Sequence, residues 1–204
     1  VADLAQIVAV RIQQKFHADK WVSGVIVTLC GCSQIFVFVL RRDHVVHKGA
    51  EGLFIRTDKG KDFFCIRRCF GAVIVKNDEI ISTGYNGAPR GRKNCSDLGY
   101  CMREKLNIPR GERYELCRSV HGEENAIISA SRKDMIGSSL YLVGKNFDND
   151  EYVKDARPCA MCKRVIINSG IEKIYIRNDK EKYTEINVND FITNDESLKG
   201  ILGY

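Results

Sequence analysis

Two short motifs that carry histidine and cysteine constrain the fold of this chain more than any other feature of its sequence. The first is H-G-E at 121–123, within "SVHGEENAI", and the second is P-C-A-M-C at 158–162. Each motif alone arises often by chance. Both, however, stand at the start of a predicted helix with one predicted strand between them. If they act jointly, the fold must bring two distant helix starts together.

The two motifs together offer the ligands of a catalytic zinc site. One imidazole from His121 and two thiolates from Cys159 and Cys162 give Zn²⁺ three protein ligands and leave the fourth tetrahedral position for water. Both cysteines lie at or inside the first turn of a predicted helix, where the dipole and the free N–H groups favour the thiolate. Glu123 is available as an acid–base group, although a carboxylate there would also stabilise the helix dipole.

Strand and helix signals alternate through the C-terminal two thirds of the chain. Two β-branched segments, 71–76 and 79–84, flank the turn signal Asn77-Asp78 and predict a hairpin. The patterns further predict a helix over 119–133 capped by Ser119, a strand over 139–144, a helix over 159–170 and a strand over 172–177. A strand, helix, strand series implies parallel strands covered by helices, hence an α/β domain.

Four segments carry a resemblance to a known family. They are "GAVIVKNDEIISTGYNGAPRG", "NCSDLGYC", "VHGEENAI" and "ARPCAMCKRVIINSGIEKIYI". Through them, residues 63–177 resemble the cytidine-deaminase superfamily and, within it, the deoxycytidylate (dCMP) deaminases. The resemblance implies a three-layer α/β/α sandwich with a mixed central sheet, one catalytic Zn²⁺, a small nucleotide ligand and assembly into homo-oligomers. The implied reaction is the hydrolytic conversion of dCMP to dUMP and ammonia.

The resemblance also implies roles for the residues that open the first helix. Glu123 would move protons between the attacking water, the ring nitrogen N3 and the departing ammonia, and Glu124 would face away from the metal. The main-chain N–H of Gly122, where the superfamily usually has alanine, would bond the pyrimidine carbonyl. Glycine keeps this donor but costs about 1 kcal/mol of helix preference relative to alanine.

The long polar loop between Tyr85 and Cys117 is of a kind that usually carries function. By resemblance Asn86 would contact the sugar hydroxyl, although Asn-Gly is also a turn dipeptide in any protein. Arg90, Arg92 and Lys93 suit the 5′-phosphate of a nucleotide, although three such residues also form an ordinary solvated charge run. In the family this loop also binds regulatory deoxynucleotide triphosphates.

Four further cysteines suggest a second metal site. In some family members, cysteines matching Cys65 and Cys95 hold a second zinc that stabilises the long loop. Here Cys101 and Cys117 would complete four thiolates, a closed and therefore structural site. The alternative is a set of scattered free thiols, with Cys69 as a bystander or a substitute ligand.

The first 62 residues do not match the family pattern. Residues 1–16 place Leu4, Ile7, Val8 and Ile12 on one helical face and would, with an insertion after them, supply the amphipathic helix that family members have before the Cys65 position, where 54–64 lacks helical periodicity. The equal alternative is that the segment is a foreign fusion or a mistranslated upstream stretch. We therefore expect an N-terminal extension over 1–62 and a deaminase domain over 63–204.

Residues 21–40 contain no charge and leave two interpretations open. Twenty uncharged residues meet the length of a membrane-spanning helix. The β-branched composition instead favours a hairpin of "GVIVTL" and "IFVFVL", and a membrane association is the less favoured interpretation. We expect no signal peptide, because the start is not basic and no small-residue cleavage site follows.

Composition narrows the class of protein. A chain of 204 residues with 44% hydrophobic content can bury one good core, and its net charge of +6 is spread rather than clustered, so we expect no nucleic-acid polymer as partner. Nine cysteines at an odd count and tight spacing indicate metal thiolates in a reducing compartment, the cytoplasm. The rival functions are another deaminase of the superfamily, such as one acting on tRNA adenosine, and a non-catalytic protein that binds zinc and nucleotides.

Overall fold

The computed structural model describes residues 65–195 except 110, 150, 155, 180 and 181, together with the backbone of four strands in the first 62 residues. The chain divides into two compact units, 1–62 and 63–204. Leu4, the connection over 30–33 and the end of the chain after 195 lie outside the described residues. Each unit is described separately below.

The N-terminal unit contains an antiparallel meander in the order β1-β2-β3-β4. Its strands are β1 Ile7–Phe16, β2 Lys20–Leu29, β3 Gln34–Arg41 and β4 Phe54–Thr57. Within 21–40 the two apolar segments pair as antiparallel strands, from Val22 opposite Arg41 to Thr28 opposite Ile35. No helix among the described residues is long and apolar enough to cross a membrane.

The helical face predicted for residues 1–16 is wrong from Ile7 onwards. This segment forms β1 and pairs with β2 over its full length. Val8, Val10 and Ile12 alternate with Ala9 and Arg11, and β-branched residues at alternate positions suit a strand better than a helix. Pairing with a strongly β-forming neighbour therefore outweighs the helical spacing.

The C-terminal unit is built on a five-stranded mixed sheet in the order β6-β5-β7-β8-β9. Its strands are β5 Arg68–Lys76, β6 Glu79–Tyr85, β7 Ser139–Asn146, β8 Lys173–Arg177 and β9 Tyr183–Asn187. Only β7 and β8 are parallel, and the described helix α5 connects them. The predicted strands, the crossover and the α/β fold with a mixed central sheet are confirmed.

The hairpin of β5 and β6 turns at the predicted dipeptide. Asn77 and Asp78 have φ angles of 50° and 61°, and both therefore lie in the left-handed region. A two-residue turn of this kind matches the right-handed twist of the flanking strands, and Asn and Asp tolerate it better than other side chains do.

The helix predicted over 119–133 is wrong at both ends. The structure has α3 at Gly122–Ile128, with His121 rather than Ser119 at its cap, and a separate short helix, α4 Arg132–Met135. The Ser131 side chain accepts a hydrogen bond from the backbone N–H of Asp134, at 3.3 Å, and so caps α4. A serine that bonds the backbone locally interrupts a helix more readily than it continues one.

The helix predicted over 159–170 is confirmed. Helix α5 spans Ala160–Ser169, with Cys159 at its cap. It ends at Gly170, whose φ of 82° is the left-handed conformation that glycine adopts without strain. Three shorter helices complete the unit: α1 Cys95–Leu98, α2 Met102–Lys105 and α6 Asn189–Thr193.

The core lies between one face of the sheet and the helices α3 and α5. Alternate residues of the central strands supply it, including Ala72, Ile74, Leu142 and Ile174, each at most 1% exposed. Ala126 of α3 and Ile166 of α5 complete the same cluster. This packing fixes both helices on the sheet and brings their N-terminal ends together. Helices on the other face of the sheet stay a prediction.

One glycine sets the separation between β6 and α3. A Cβ atom at Gly84 would lie 2.2 Å from the backbone nitrogen of Ala126 and 2.2 Å from the carbonyl oxygen of Gly122. Nearby, the Ser82 hydroxyl donates to the Ala126 carbonyl at 2.7 Å. The backbone of the strand therefore meets the backbone of the helix, and no larger residue fits between them.

We predict that Gly84→Ala destabilises the C-terminal unit by about 3 kcal/mol or more, because the clash is with backbone atoms that cannot rotate away. Chemical denaturation followed by circular dichroism measures the change. Gly99→Ala is the matched control: Gly99 has a φ of 74° but open surroundings, so only backbone strain of about 1 kcal/mol is expected. Equal losses for the two variants would contradict the close approach at Gly84.

Candidate zinc centre

The caps of α3 and α5 place the three predicted zinc ligands side by side. His121 Nδ1 lies 3.3 Å from the Cys162 sulfur and 3.4 Å from the Cys159 sulfur. The three ligand atoms all lie within 4.8 Å of one another. Residues nearly forty positions apart therefore meet because two helices begin at the same place on the sheet.

These distances fit a tetrahedral zinc ion. Zinc bonds of about 2.05 Å to nitrogen and 2.3 Å to sulfur, at the tetrahedral angle, separate the two donor atoms by about 3.6 Å. The observed nitrogen–sulfur separations are close to that value. One nitrogen and two sulfurs are also ligands that zinc prefers, and three of them leave one position open. The residues present therefore fit a catalytic rather than a closed site.

The ionisation of the two thiols supports cation binding. A hydrogen bond from Cys162 is the main cause that lowers the pKa of Cys159 to about 4, and the same bond raises the pKa of Cys162. Burial lowers the pKa of His121, but hydrogen bonds with Cys117 and Cys159 outweigh it and raise that pKa to about 11. Protons thus sit between these atoms, and a metal that binds there replaces them.

Glu123 lies in the first turn of α3 and is 5% exposed. Burial is the largest influence on its carboxyl group and raises its pKa. The neighbouring Glu124 has a different role, because its carboxylate accepts a hydrogen bond from the backbone N–H of His121 at 3.2 Å. The two adjacent carboxylates are therefore separated in function: Glu124 caps the helix, and Glu123 faces the cleft.

A cleft opens beside the three ligands and gathers residues from many parts of the sequence. Its lining includes His121, Gly122, Glu123 and Cys159 from the two motifs and Asn86 from the end of β6. Four arginines and four further cysteines also line it: Arg67, Arg68, Arg103, Arg157, Cys65, Cys95, Cys101 and Cys117. The long loop and the start of β5 therefore supply the rest of the cleft lining.

The Asn86 side chain is held by the backbone of β5. Its oxygen accepts from the Phe70 N–H at 2.7 Å, and its nitrogen donates to the Arg68 carbonyl at 2.9 Å. These bonds fasten the end of β6 to its neighbour, a role beyond simple turn chemistry. A contact between Asn86 and a sugar hydroxyl stays a prediction.

The cations predicted for phosphate binding do not line the cleft. Arg90, Arg92 and Lys93 are exposed on the loop after β6 and are absent from its lining. Sequence reasoning missed the four arginines that do line it. A signal was present for three of the four, because Arg67 directly precedes β5, Arg68 begins it, and Arg157 directly precedes Pro158 of the cysteine motif.

The four cysteines of the predicted second site share the cleft wall. Burial raises the pKa of Cys65 and raises that of Cys95 to about 11, and each also senses the sulfurs of Cys101 and Cys117. They do not form a group whose ligand atoms all lie within 4.8 Å of one another, the test that the triad of His121, Cys159 and Cys162 meets among the described residues. A second zinc stays a prediction. Cys69 is buried and lies outside the cleft lining.

The backbone conformation at position 122 does not require glycine. A Cβ atom there would lie 3.3 Å from the carbonyl oxygen of Phe70, so that alanine would need a shift of a few tenths of an ångström. Glycine relieves this contact and leaves the first turn of α3 open to the cleft. A bond from its N–H to a pyrimidine stays a prediction.

The fold and the ligand triad together define a zinc-binding α/β domain. A family model described as the cytidine and deoxycytidylate deaminase zinc-binding region matches residues 57–178. The chain belongs to this family.

Named relatives agree with that assignment. A deoxycytidylate deaminase of Mycobacterium phage D29 is 36% identical over 115 residues, which cover 54% of this chain and 78% of the relative. One of Schizosaccharomyces pombe is 34% identical over 110 residues, covering 54% of this chain and 30% of the relative. The chain thus spans less than a third of the yeast relative's length.

Among solved structures, a dCMP deaminase from the cyanophage S-TIM5 in complex with dCMP and dUMP is 26% identical. The match covers 54% of this chain and 65% of that one, with a TM-score of 0.35.

We predict that Cys162→Ser lowers the zinc affinity of the full chain by at least tenfold, because a buried hydroxyl is a much poorer zinc ligand than a thiolate. Metal content after dialysis against a chelator measures the loss. Cys69→Ser is the matched control, since this thiol is also buried but lies outside the cleft, and it should keep the wild-type content. Equal zinc retention by both variants would contradict the assigned ligands.

Proposed function

We propose that this chain is a zinc-dependent hydrolytic deaminase that converts dCMP to dUMP and ammonia. The observation that carries the proposal is a buried glutamate, Glu123, in the same cleft as an imidazole and two thiols at zinc-binding distances. A site that only held zinc for structure would not need this carboxyl group. The deoxycytidylate deaminase names of the relatives support the choice of substrate.

The chemistry divides between the metal and the residues of the chain. Bound at a site with one open position, Zn²⁺ supplies a hydrolytic nucleophile at neutral pH by acidifying water. Glu123 lies within the cleft and can take one proton from the attacking water and donate it to ring N3. It can then take the remaining proton from the hydroxyl on C4 and deliver it to the amino group, so that the C4–N bond breaks, ammonia leaves and the carbonyl of dUMP forms. The N–H of Gly122, at the first turn of α3, would hold the pyrimidine carbonyl.

The charge of the cleft supports a nucleotide rather than a nucleoside as substrate. Four arginines line it against one carboxylate, that of Glu123. Arg67 also forms an ion pair with Glu104 at 2.8 Å, at the exposed edge. Guanidinium groups match the geometry of phosphate oxygens, so the cleft favours an anionic ligand. The exposed Arg90, Arg92 and Lys93 remain a second candidate set for the phosphate, and Asn86 for the sugar.

We further propose a second, structural zinc held by Cys65, Cys95, Cys101 and Cys117. Their sulfurs influence one another electrostatically and share one wall of the cleft. A metal there would neutralise several thiolates that burial otherwise disfavours. Metal analysis of the full chain is expected to give two zinc ions, with Cys95→Ser retaining one. A wild-type content of one ion would contradict the second site.

Three broader assignments accompany this function. Residues 63–204 would form the deaminase domain and 1–62 an extension to it. Binding of zinc by Cys159 and Cys162 requires reduced thiolates, so a reducing compartment such as the cytoplasm would suit this function. Self-association into a homo-oligomer would follow from family membership, and sedimentation of the purified chain tests it.

We predict that the full chain releases ammonia from dCMP with a kcat/KM at least tenfold higher than from deoxycytidine, because the cationic cleft holds the phosphate. CMP, adenosine and a tRNA adenosine substrate complete the panel, and a coupled assay follows ammonia. Preferential release from the tRNA substrate would favour the alternative deaminase. Zinc binding without release from any substrate would favour a non-catalytic nucleotide-binding protein.

The matched control for that panel is Glu123→Gln. The amide keeps the size of the side chain but cannot shuttle a proton, so turnover is expected to fall by a factor on the order of 10³ or more. Zinc content should stay at the wild-type value, because Glu123 is not one of the three ligands. Full activity of the variant would contradict the role assigned to this carboxyl group.

A further inference from the structure

The ring of His121 is contacted by one short segment of the long loop. Residues Tyr114–Leu116 form a 3₁₀ turn, and the Cys117 N–H donates to the Tyr114 carbonyl at 2.9 Å, which closes it. The Tyr114 ring meets the His121 ring edge-to-face, with centroids 5.4 Å apart and planes at 87°. The Cys117 side chain also hydrogen-bonds the His121 side chain.

A buried arginine supports this turn from behind. Arg103 of α2 is 4% exposed, and its guanidinium lies 4.3 Å from the centre of the Tyr114 ring. One terminal nitrogen donates to the carbonyls of Pro109 and Glu112, at 2.7 and 2.5 Å. Arg103 therefore binds both the aromatic ring and the loop that leads to it.

Burying the charged side chain of Arg103 costs free energy. Its burial therefore indicates a structural role that outweighs this cost. Its Nε is buried and has no hydrogen-bond partner within the described part of the chain. An unsatisfied buried donor destabilises the fold, because its hydrogen bond to water is lost without a replacement. A cation stacked on an aromatic ring recovers part of this cost, and the planar guanidinium does so while holding two carbonyls. No lysine or aliphatic side chain could reproduce both contacts.

The backbone of His121 is already fixed by other bonds. Its N–H donates to Glu124 at 3.2 Å, and its carbonyl accepts from the Asn125 N–H at 3.0 Å. These bonds set the position of the residue at the helix cap, and the His121 side chain takes part in the same capping box by accepting from the backbone N–H of Glu124. The orientation of the ring, which decides whether Nδ1 faces Cys159 and Cys162, depends on this bond and on the contacts that the rest of the ring makes.

We propose that Arg103 and Tyr114 are positioning residues that fix the imidazole ring of His121 in its zinc-binding orientation. The inference rests on the proposed function only in taking His121 as a zinc ligand. Outer contacts that orient a metal-ligating histidine typically change metal affinity by about 10- to 100-fold when they are removed. The conformation of the long loop is thereby connected to the metal site through one aromatic contact.

The test measures zinc release from the full chain rather than activity. A chelator in excess takes up zinc, and the rate of transfer reports how firmly the ligands hold it. Tyr114→Leu and Arg103→Met are expected to release the catalytic zinc about 10- to 100-fold faster than the wild type. Tyr114→Phe keeps the ring and should restore a rate within about twofold of the wild type, because the edge-to-face contact needs no hydroxyl group.

The chain offers a matched control on the same loop. Lys105 lies 4.9 Å from the centre of the Tyr100 ring, an exposed cation–aromatic pair. Tyr100→Leu removes a similar contact that does not reach His121, and its zinc should leave at the wild-type rate. Substitution of Co²⁺ gives a second readout: its visible spectrum should shift in Tyr114→Leu and stay unchanged in Tyr100→Leu, because only the former alters ligand orientation.

Wild-type release rates and cobalt spectra in folded Tyr114→Leu and Arg103→Met would overturn the proposal. So would equal acceleration in Tyr100→Leu, which would mean that general loosening of the loop is the cause. If Tyr114→Leu does not fold by circular dichroism, Arg103→Lys, which keeps the charge but loses the planar stack, is judged by the same criteria. A wild-type chain that binds no zinc would instead refute the proposed function.

Discussion

The meeting of two helix N-termini on one sheet is the constraint on which the site depends. Helix α3 packs on β5 and β6, α5 packs beside α3, and residues of both helices join one core cluster with residues of β5 and β7. His121 and Cys159 occupy their caps, so that the imidazole and the thiols converge without any loop having to carry them. The partial positive charge at both helix starts also stabilises the thiolates that zinc requires. Secondary structure thus provides both the placement and part of the electrostatics.

The sequence was sufficient to predict the structure of those parts of the molecule in which one local signal dominates. The turn at Asn77-Asp78, the strands on either side and the end of α5 at Gly170 all follow from residues whose backbone preferences are strong. The ligand triad could also be predicted, because its two motifs combine rare residue types with helix starts. The α/β topology then explains why the two motifs converge, because each lies at the start of a helix of the same layer.

Elsewhere competing signals decided the outcome. The pattern over 119–133 suggested one long helix, but Ser131 caps a separate one. The arginines of the cleft could not be chosen from the sequence, because Arg67, Arg103 and Arg157 lie in three separate parts of the chain that only the tertiary fold brings together. The cations at Arg90 and Arg92, on the loop after β6, looked more suitable for binding phosphate because they are close together in the sequence. Contiguity in sequence says little about which charges share a cavity.

The approach of β6 to α3 at Gly84 has a consequence for how such a pocket can change over evolution. Main chain touches main chain there, so no side chain separates the strand from the first turns of the helix. The cleft is lined elsewhere by side chains of the long loop, among them Cys95, Arg103 and Tyr114. Divergence in ligand preference is therefore expected at such loop positions, while the spacing between strand and helix is inherited unchanged with the scaffold.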